Sequence, residues 1–360
     1  MEKTTDNNFI PTVAVSPGET IRENMEYLGM TQKELALRIQ ITEKHLSNIL
    51  NGTSPITYDT ALKLETVIGP RAEFWMKLEA NYQLNKSRLE EEETLKEDLI
   101  VLKNIPYKDM AAHGWVSPER DRTKRVKNCR TFFGVSSLHS IKESHAVAFR
   151  THTSSNPISD YGILAWLRKA ETEGIRQSVS PFNKSALRKL IPEFRALTLL
   201  APQQFYPLLE NRCKEVGIAL VLVDYIPKTY ICGATIWKDH KAIVALSARG
   251  KRADIFWFTF FHEVAHLLNH SRKEVHIHFE STEEESQADE IASNYLISKK
   301  DYDHFILQYD YTNQESIKEY AEKIGIAPFV LVGRLQHDRY IDFSKFHDLI
   351  PSYEIIHAEE

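Results

Sequence analysis

Cysteine is scarce in this chain, and its spacing pairs with nothing. Cys129, Cys213 and Cys232 are scattered thiols without C-x-x-C spacing, which argues against a disulfide framework and for a reducing compartment. Long hydrophobic runs are also missing. No apolar stretch approaches membrane-spanning length, and the opening MEKTTDNNFIP lacks the apolar core of an export signal, so a cytoplasmic protein with no membrane partner is expected. Nor is there a surplus of positive charge. Lys and Arg number 45 against 50 Asp and Glu, a formal net charge of −5, so no chain-wide basic field advertises nucleic acid. What remains is a composition of globular type, 42% hydrophobic and 26% charged over 360 residues, long enough for two or three domains with proper cores.

The most informative stretch is 256–270, FWFTFFHEVAHLLNH. His262, Glu263 and His266 spell H-E-x-x-H. Positions four apart share one helix face, so both imidazoles can serve one metal. Zinc accepts neutral imidazole and in catalytic sites keeps three protein ligands and an open position. Glu263 is then the candidate general base for a water at that position. Such five-residue patterns also arise by chance on surface helices. Here the flanks are apolar on all sides, from Ile255 to Phe261 and again at Leu267 and Leu268. Titratable groups inside such a helix are costly unless a metal or other partners satisfy them.

The candidate third ligand is Glu285. It opens a second helical pattern, with Ala288, Ile291, Ala292, Tyr295 and Leu296 as its apolar stripe. Asp289, four residues on, shares its face and is suited to accept the ring N–H of a ligand histidine. The competing account is a solvated acidic helix start, favoured by the macrodipole; it applies with more force to Glu283, Glu284 and Glu290. His270, His276 and His278 are weaker candidates for oxyanion or substrate work, His270 or His276 also for a fourth ligand, and Tyr295 and Tyr302 for an oxyanion.

From about Cys232 to Pro328 the chain resembles the ImmA/IrrE family of zinc metallopeptidases. The family's order of strand, strand, H-E-x-x-H helix and E-x-x-A-[ND]-x-x-A reads here as GATIW, AIVALS, HEVAH and ESQADEIA. In that alignment the third zinc ligand falls on Glu285. The resemblance implies gluzincin-like peptide hydrolysis on an α+β fold, with 234–237 or 242–247 as an edge strand on which substrate could pair. Ala265 stands where many relatives have Gly before the second histidine, a change that leaves the ligands intact.

The amino-terminal part reads as a run of short helices. Ser16-Pro17-Gly18-Glu19 starts one that Gly29 ends; Thr31 and Glu34 form a capping box for a second; Thr42 caps a third, EKHLSNIL, closed by Asn51-Gly52. Two short helices joined by the tight turn at Gln40-Ile41 read as helix-turn-helix. Residues 16–82 carry seven Lys/Arg against nine Asp/Glu, poor for phosphate affinity. The whole stretch nevertheless resembles HigA-type antitoxins of the XRE helix-turn-helix class, above all in LNG, PIT, ALKLE and the FW-to-ANY ending. The resemblance implies a third helix in the major groove, with Thr42, Lys44, His45 and Asn48 facing bases and Gln32 and Asn51 nearer phosphates. It also implies a homodimer, operator DNA and a cognate toxin as partners. Glu43 at the helix start would repel phosphate.

Between these parts, the polar stretch 85–93 reads as a continuing or broken helix, and 95–204 as mainly helical, with patterns at 99–110, 126–133, 161–173 and 184–197 and no catalytic motif. The basic run Arg120 to Arg130 is either a basic surface helix or an extra DNA-backbone contact. A helix from Pro207 feeds a strand at 218–223. The tail IKEYAEKIGIAPFVLVGRLQHD reads as two helices about Gly325, packed on the peptidase part, and resembles the segment carboxy-terminal to the peptidase core in HigA-ImmA fusions.

The expectation is therefore multidomain: an all-α helix-turn-helix domain at 15–84, a helical middle region at 85–204 and an α+β zincin-like (gluzincin) domain at 205–345. Function is expected as a DNA-binding regulator or antitoxin whose Zn2+ domain cleaves a specific protein partner. The alternative is a non-catalytic antitoxin whose zinc domain is structural or sensory and binds a toxin.

Overall fold

The computed structural model describes residues 14–144, 157–247, 252–269, 275–277 and 283–353. The chain divides into two compact units, Met1–Glu97 and Asp98–Glu360.

In the first unit, α1 (Pro17–Tyr27), α2 (Gln32–Arg38), α3 (Glu43–Leu50) and α4 (Tyr58–Ile68) precede the long α5 (Ala72–Val101), whose last residues belong to the second unit. Each of the first four starts where a side-chain oxygen meets an orphan backbone N–H: Ser16, Thr31, Thr42 and Thr57 are the caps. The box at Thr31 is only half formed, because the Glu34 carboxylate turns to Arg38 instead. Between α2 and α3 the chain reverses through Gln40, which takes a left-handed φ of 55°. Ile21, Leu35, Leu46, Ile49, Leu64 and Trp75 form the core. Gly18 lets α1 approach the end of α3 so closely that a Cβ would lie 2.0 Å from the Leu50 carbonyl oxygen. The buried Glu79 carboxylate accepts the Ile56 N–H at 3.1 Å and Gln83 Nε2 at 2.7 Å, tying the loop before α4 to α5. The charged stretch 85–93 continues α5 without a break.

In the second unit, α6 (Tyr107–Ala112), α7 (Arg122–Phe133), α8 (Ile141–Ser144), α9 (Pro157–Arg176), α10 (Lys184–Ala196) and α11 (Pro202–Glu215) lead to the sheet. The pattern at 99–110 is broken at Pro106, with α5 ending at Val101 and α6 starting at Tyr107. α11 begins five residues before the expected Pro207. Pro202 takes the first helical turn, and Pro207 sits inside, its missing N–H tolerated because Phe205, Leu209 and Cys213 bury the helix's inner face.

The sheet runs β1 (Ile218–Val223), β3 (Lys241–Ser247), β2 (Gly233–Lys238), β4 (Val275–Ile277) in spatial order. β1 and β3 are parallel, β2 is antiparallel to β3, and β4 is antiparallel to β2. Asp239, with φ 49°, turns the β2–β3 hairpin. Neither strand proposed as an edge from the sequence is one. β3 lies between β1 and β2, and β2 is covered by β4 from Ala234 to Ile236. Three residues with no turn signal of their own supply the outer strand, and its pairing depends on tertiary contact.

Against this sheet packs α12 (Ala253–Asn269), followed by α13 (Glu283–Leu296), α14 (Lys299–Gln308), α15 (Gln314–Ile324) and α16 (Pro328–His337). Trp257, Phe260, Phe261 and Val264 of α12 share one core with Phe194, Phe205, Phe305, Tyr320 and Leu331. The two carboxy-terminal helices, separated by left-handed Gly325, are thus part of that unit's core.

Candidate metal centre and nucleic-acid interface

The apolar face of α12 carries its polar triplet into the interior. His262, Glu263 and His266 are each at most 3% exposed. α13 brings Glu285, buried, to the same place, while Glu283, Glu284 and Glu290 are exposed. His262 Nε2 lies 2.9 Å from His266 Nε2 and 3.0 Å from Glu285 Oε2, and His266 Nε2 lies 3.3 Å from Glu285 Oε1. Among the described residues this is the one His/Cys/Asp/Glu group whose ligating atoms all fall within 4.8 Å of one another. The other ring nitrogen of His262, Nδ1, lies 2.8 Å from Asp289 Oδ1. With a proton on Nδ1 donated to Asp289, Nε2 turns a lone pair toward the other two groups. Three converging lone-pair atoms suit a cation. Ligands of tetrahedral zinc stand roughly 3.3 Å apart, close to these separations. Without a metal, burial pushes the His262 pKa down, but hydrogen bonds to Asp289 and Glu285 and the Glu263 charge outweigh it and hold it at about 9.

Glu263 faces the sheet. The Thr235 hydroxyl on β2 donates to its Oε2 at 2.7 Å, and Thr235 is wholly buried. At Gly233 the strand comes so near α12 that a Cβ would meet Glu263 Oε1 at 2.7 Å and Thr259 Cγ2 at 2.6 Å. Sequence reasoning missed Thr235 as a functional residue. Its signal was one hydroxyl inside the otherwise apolar run GATIW, a polar group that needs a buried partner.

The remaining candidates fall elsewhere. Tyr295 packs beside Phe261, and Tyr302 lies beneath the Arg334 guanidinium, 5.0 Å from its ring centre. His270, His278 and the side chain of His276 lie outside the described residues.

In the helix-turn-helix unit, α3 presents Lys44 exposed and His45 and Asn48 half-buried, with Lys44 and Asn48 one turn apart. The other three have structural duties. Thr42 Oγ1 accepts the His45 N–H at 3.1 Å, Gln32 Nε2 reaches the Glu43 carbonyl at 3.3 Å, and Asn51 Oδ1 accepts from Arg22 at 2.7 Å. The basic run on α7 is largely engaged as well. Arg125 donates to the Glu119 carbonyl and covers the Tyr107 ring, Arg130 pairs with Asp98, and Arg122 reaches the Leu99 carbonyl. That favours a surface helix over a DNA contact.

Fold and site together define a class: a helix-turn-helix protein carrying a zincin-like α+β domain. Comparison with known proteins agrees on both parts. Residues 21–74 match the helix-turn-helix family, and residues 221–336 match the IrrE N-terminal-like domain of peptidase family M78. The chain is 31% identical over 68 residues to the uncharacterized HTH-type transcriptional regulator YddM of Escherichia coli, covering 19% of this chain and 72% of YddM. It is 32% identical over 90 residues to antitoxin HigA-1 of Vibrio cholerae, covering 24% of this chain and 85% of HigA-1. Among solved structures, an addiction module antidote protein of the HigA family from Coxiella burnetii is 30% identical over 23% of this chain and 92% of that one, with a TM-score of 0.22. The chain belongs to the XRE-type helix-turn-helix family, with HigA antitoxins as homologues, and joins to that domain an IrrE/ImmA-like one. No helix among the described residues is long and apolar enough to cross a membrane.

Proposed function

We propose that this chain is a DNA-binding regulator of antitoxin type whose second domain is a zinc peptidase acting on one or a few protein partners. The observation that carries the reading is the buried convergence of His262, His266 and Glu285 beside a carboxylate, Glu263, that Thr235 holds in place. A site that only stabilises the fold has no need of an oriented base.

In this reading His262, His266 and Glu285 hold Zn2+, and Asp289 fixes the tautomer of His262. Zinc, when bound there, lowers the pKa of water and polarises a carbonyl. Glu263 takes the proton of the attacking water and returns it to the leaving amine. The work divides as 15–84 for DNA, 85–204 as a helical middle region and 205–345 for hydrolysis. Thr42, Lys44, His45 and Asn48 face bases, Thr42 also capping α3, with Gln32 and Asn51 nearer phosphates. The names of the relatives, transcriptional regulator and antitoxin, support operator DNA and a cognate toxin as partners; a homodimer on DNA and a cytoplasmic setting belong to the same proposal.

The test combines zinc content with partner degradation. Wild type should hold zinc, Glu285→Ala should lose it, and a neighbouring-operon protein should be cleaved by wild type but not by Glu263→Gln. Zinc retained with every phenotype intact in Glu263→Gln would instead establish a metal-stabilised, non-catalytic antitoxin. For the DNA half, Lys44→Ala with Asn48→Ala should weaken operator binding and relax its sequence preference; an unchanged preference refutes base reading by α3.

A further inference from the structure

The connection from β1 to β2, DYIPKTYIC at 224–232, is held to its unit by buried side chains. Ile226 and Thr229 are each 1% exposed, and Ile231 is wholly buried. Thr229 Oγ1 donates to the Ile226 carbonyl at 2.7 Å, closing a turn. Its methyl group lies so near α9 that a Cβ on Gly162 would meet it at 2.8 Å. The segment is a fixed strap, tied down on both sides of residue 230.

Within this strap two residues with side chains take left-handed backbone, Lys228 at φ 69° and Tyr230 at φ 58°. That conformation crowds a Cβ and favours glycine, so each position opposes folding where it stands. Burial repays little of this at Tyr230, which is 61% exposed while Thr229 and Ile231 on either side are out of solvent. For the turn alone a glycine would serve at lower cost, and a side chain kept on such a backbone points to a duty outside the fold.

The strap leads directly to the candidate metal centre. The Cys232 thiol donates to the Tyr230 carbonyl at 3.9 Å, and Cys232 shares a cavity wall with His262. Gly233 is the point where β2 comes against Glu263 Oε1. It follows Tyr230 by three residues, a span of at most about 11 Å along the chain.

The geometry points to Tyr230 as a substrate-docking residue: its ring is a platform on which the main chain of the protein substrate lies as it enters beside Glu263. This rests on the metallopeptidase reading, since the ring acquires a substrate only from the site the strap leads into. Tyrosine suits the duty because it offers a broad face with only two side-chain angles to order. A strap already fixed adds no ordering cost of its own when the substrate arrives.

The probe is the neighbouring-operon protein that wild type degrades. Its binding is measured calorimetrically on the zinc-loaded full chain carrying Glu263→Gln, which holds the partner without cutting it. Adding Tyr230→Gly suits the φ of 58° and removes the ring, so thermal stability should hold or rise while Kd climbs about 10- to 100-fold. Tyr230→Phe keeps the ring and should bind like its parent. With Glu263 in place, Tyr230→Gly should raise KM by the same factor and leave kcat and zinc content unchanged. Parent affinity retained in Tyr230→Gly, or a loss accompanied by a fall in stability, overturns the assignment. An equal loss in Tyr230→Phe does so too, because the duty then lies with the hydroxyl and not with the ring. If zinc-loaded wild type degrades no neighbouring-operon protein, the peptidase reading falls and takes this inference with it.

Discussion

The Thr235 hydroxyl donates to Glu263 Oε2 across 2.7 Å, from strand β2 to helix α12, with both residues out of contact with solvent. In the proposed mechanism Glu263 accepts a proton and returns it, which a carboxylate does only from one rotamer, and this bond selects it. Thr235→Val, nearly equal in shape, removes the donor and should lower kcat about tenfold to a hundredfold with KM and zinc content unchanged. Thr235→Ser should restore most of the rate. Equal rates for the Val and Ser variants would reduce Thr235 to a packing residue.

Asp289 lies 2.8 Å from His262 Nδ1, and in the proposed zinc site it acts on the metal only through that ring. Asp289→Asn keeps the shape but accepts more weakly, so zinc affinity should fall about 10- to 100-fold. Competition with a chromophoric chelator measures it. The Asp289 side chain is 45% exposed, so the fold itself should be little affected.

These two bonds mark the limit of what the sequence could tell. Asp289 was legible because its partner lies along a regular spacing: Glu285 and Asp289 are four apart on a helix whose stripe is visible, and that helix must face H-E-x-x-H to bury Ala288 and Ala292. The caps Ser16, Thr31 and Thr42 were legible for the same local reason. Thr235 was not, because its partner is 28 residues away and comes from a different element. β4 was missed because three residues carry no periodicity, and its pairing with β2 displaced both proposed edge strands.

Between pH 6.5 and about 9, His262 contributes to the pH response of the metal-free chain. Its pKa rises from the ordinary 6.5 to about 9 on folding, so the folded state binds the proton more tightly than the unfolded one. The stabilisation is fully present below pH 6.5 and is lost as pH rises through about 9. Denaturant unfolding of the zinc-free chain should show stability falling across that window by roughly 3 kcal/mol at most. Zinc reverses the slope. It must displace this proton, so its apparent affinity should climb about tenfold per unit up to that pKa. A flat profile for the zinc-free chain, or one that His262→Gln does not flatten, would contradict this.

Asp98 is fully buried. It binds Arg130 Nε at 2.6 Å through one oxygen, and Ser137 Oγ at 2.9 Å and the Leu138 N–H at 2.8 Å through the other. Asp98→Ala takes the carboxylate from a nearly buried guanidinium and the acceptor from the Ser137 hydroxyl and the Leu138 N–H, and should cost about 3–5 kcal/mol. Chemical denaturation of the full chain should show the loss in the transition of the second unit, with DNA binding by the first retained.

The hairpin between β2 and β3 turns at Asp239 and His240, with Lys238 opposite Lys241. Because neighbouring side chains along a strand point to opposite faces, one residue added or removed there would swing Thr235 away from Glu263 and aim Ile236 or Ala234 at it. The turn thus works as a length gauge for the placement of a carboxylate on another element. Its two flanking lysines fix the count from outside, Lys238 pairing with Glu171 and Lys241 donating to the Gly174, Ile175 and Gln177 carbonyls.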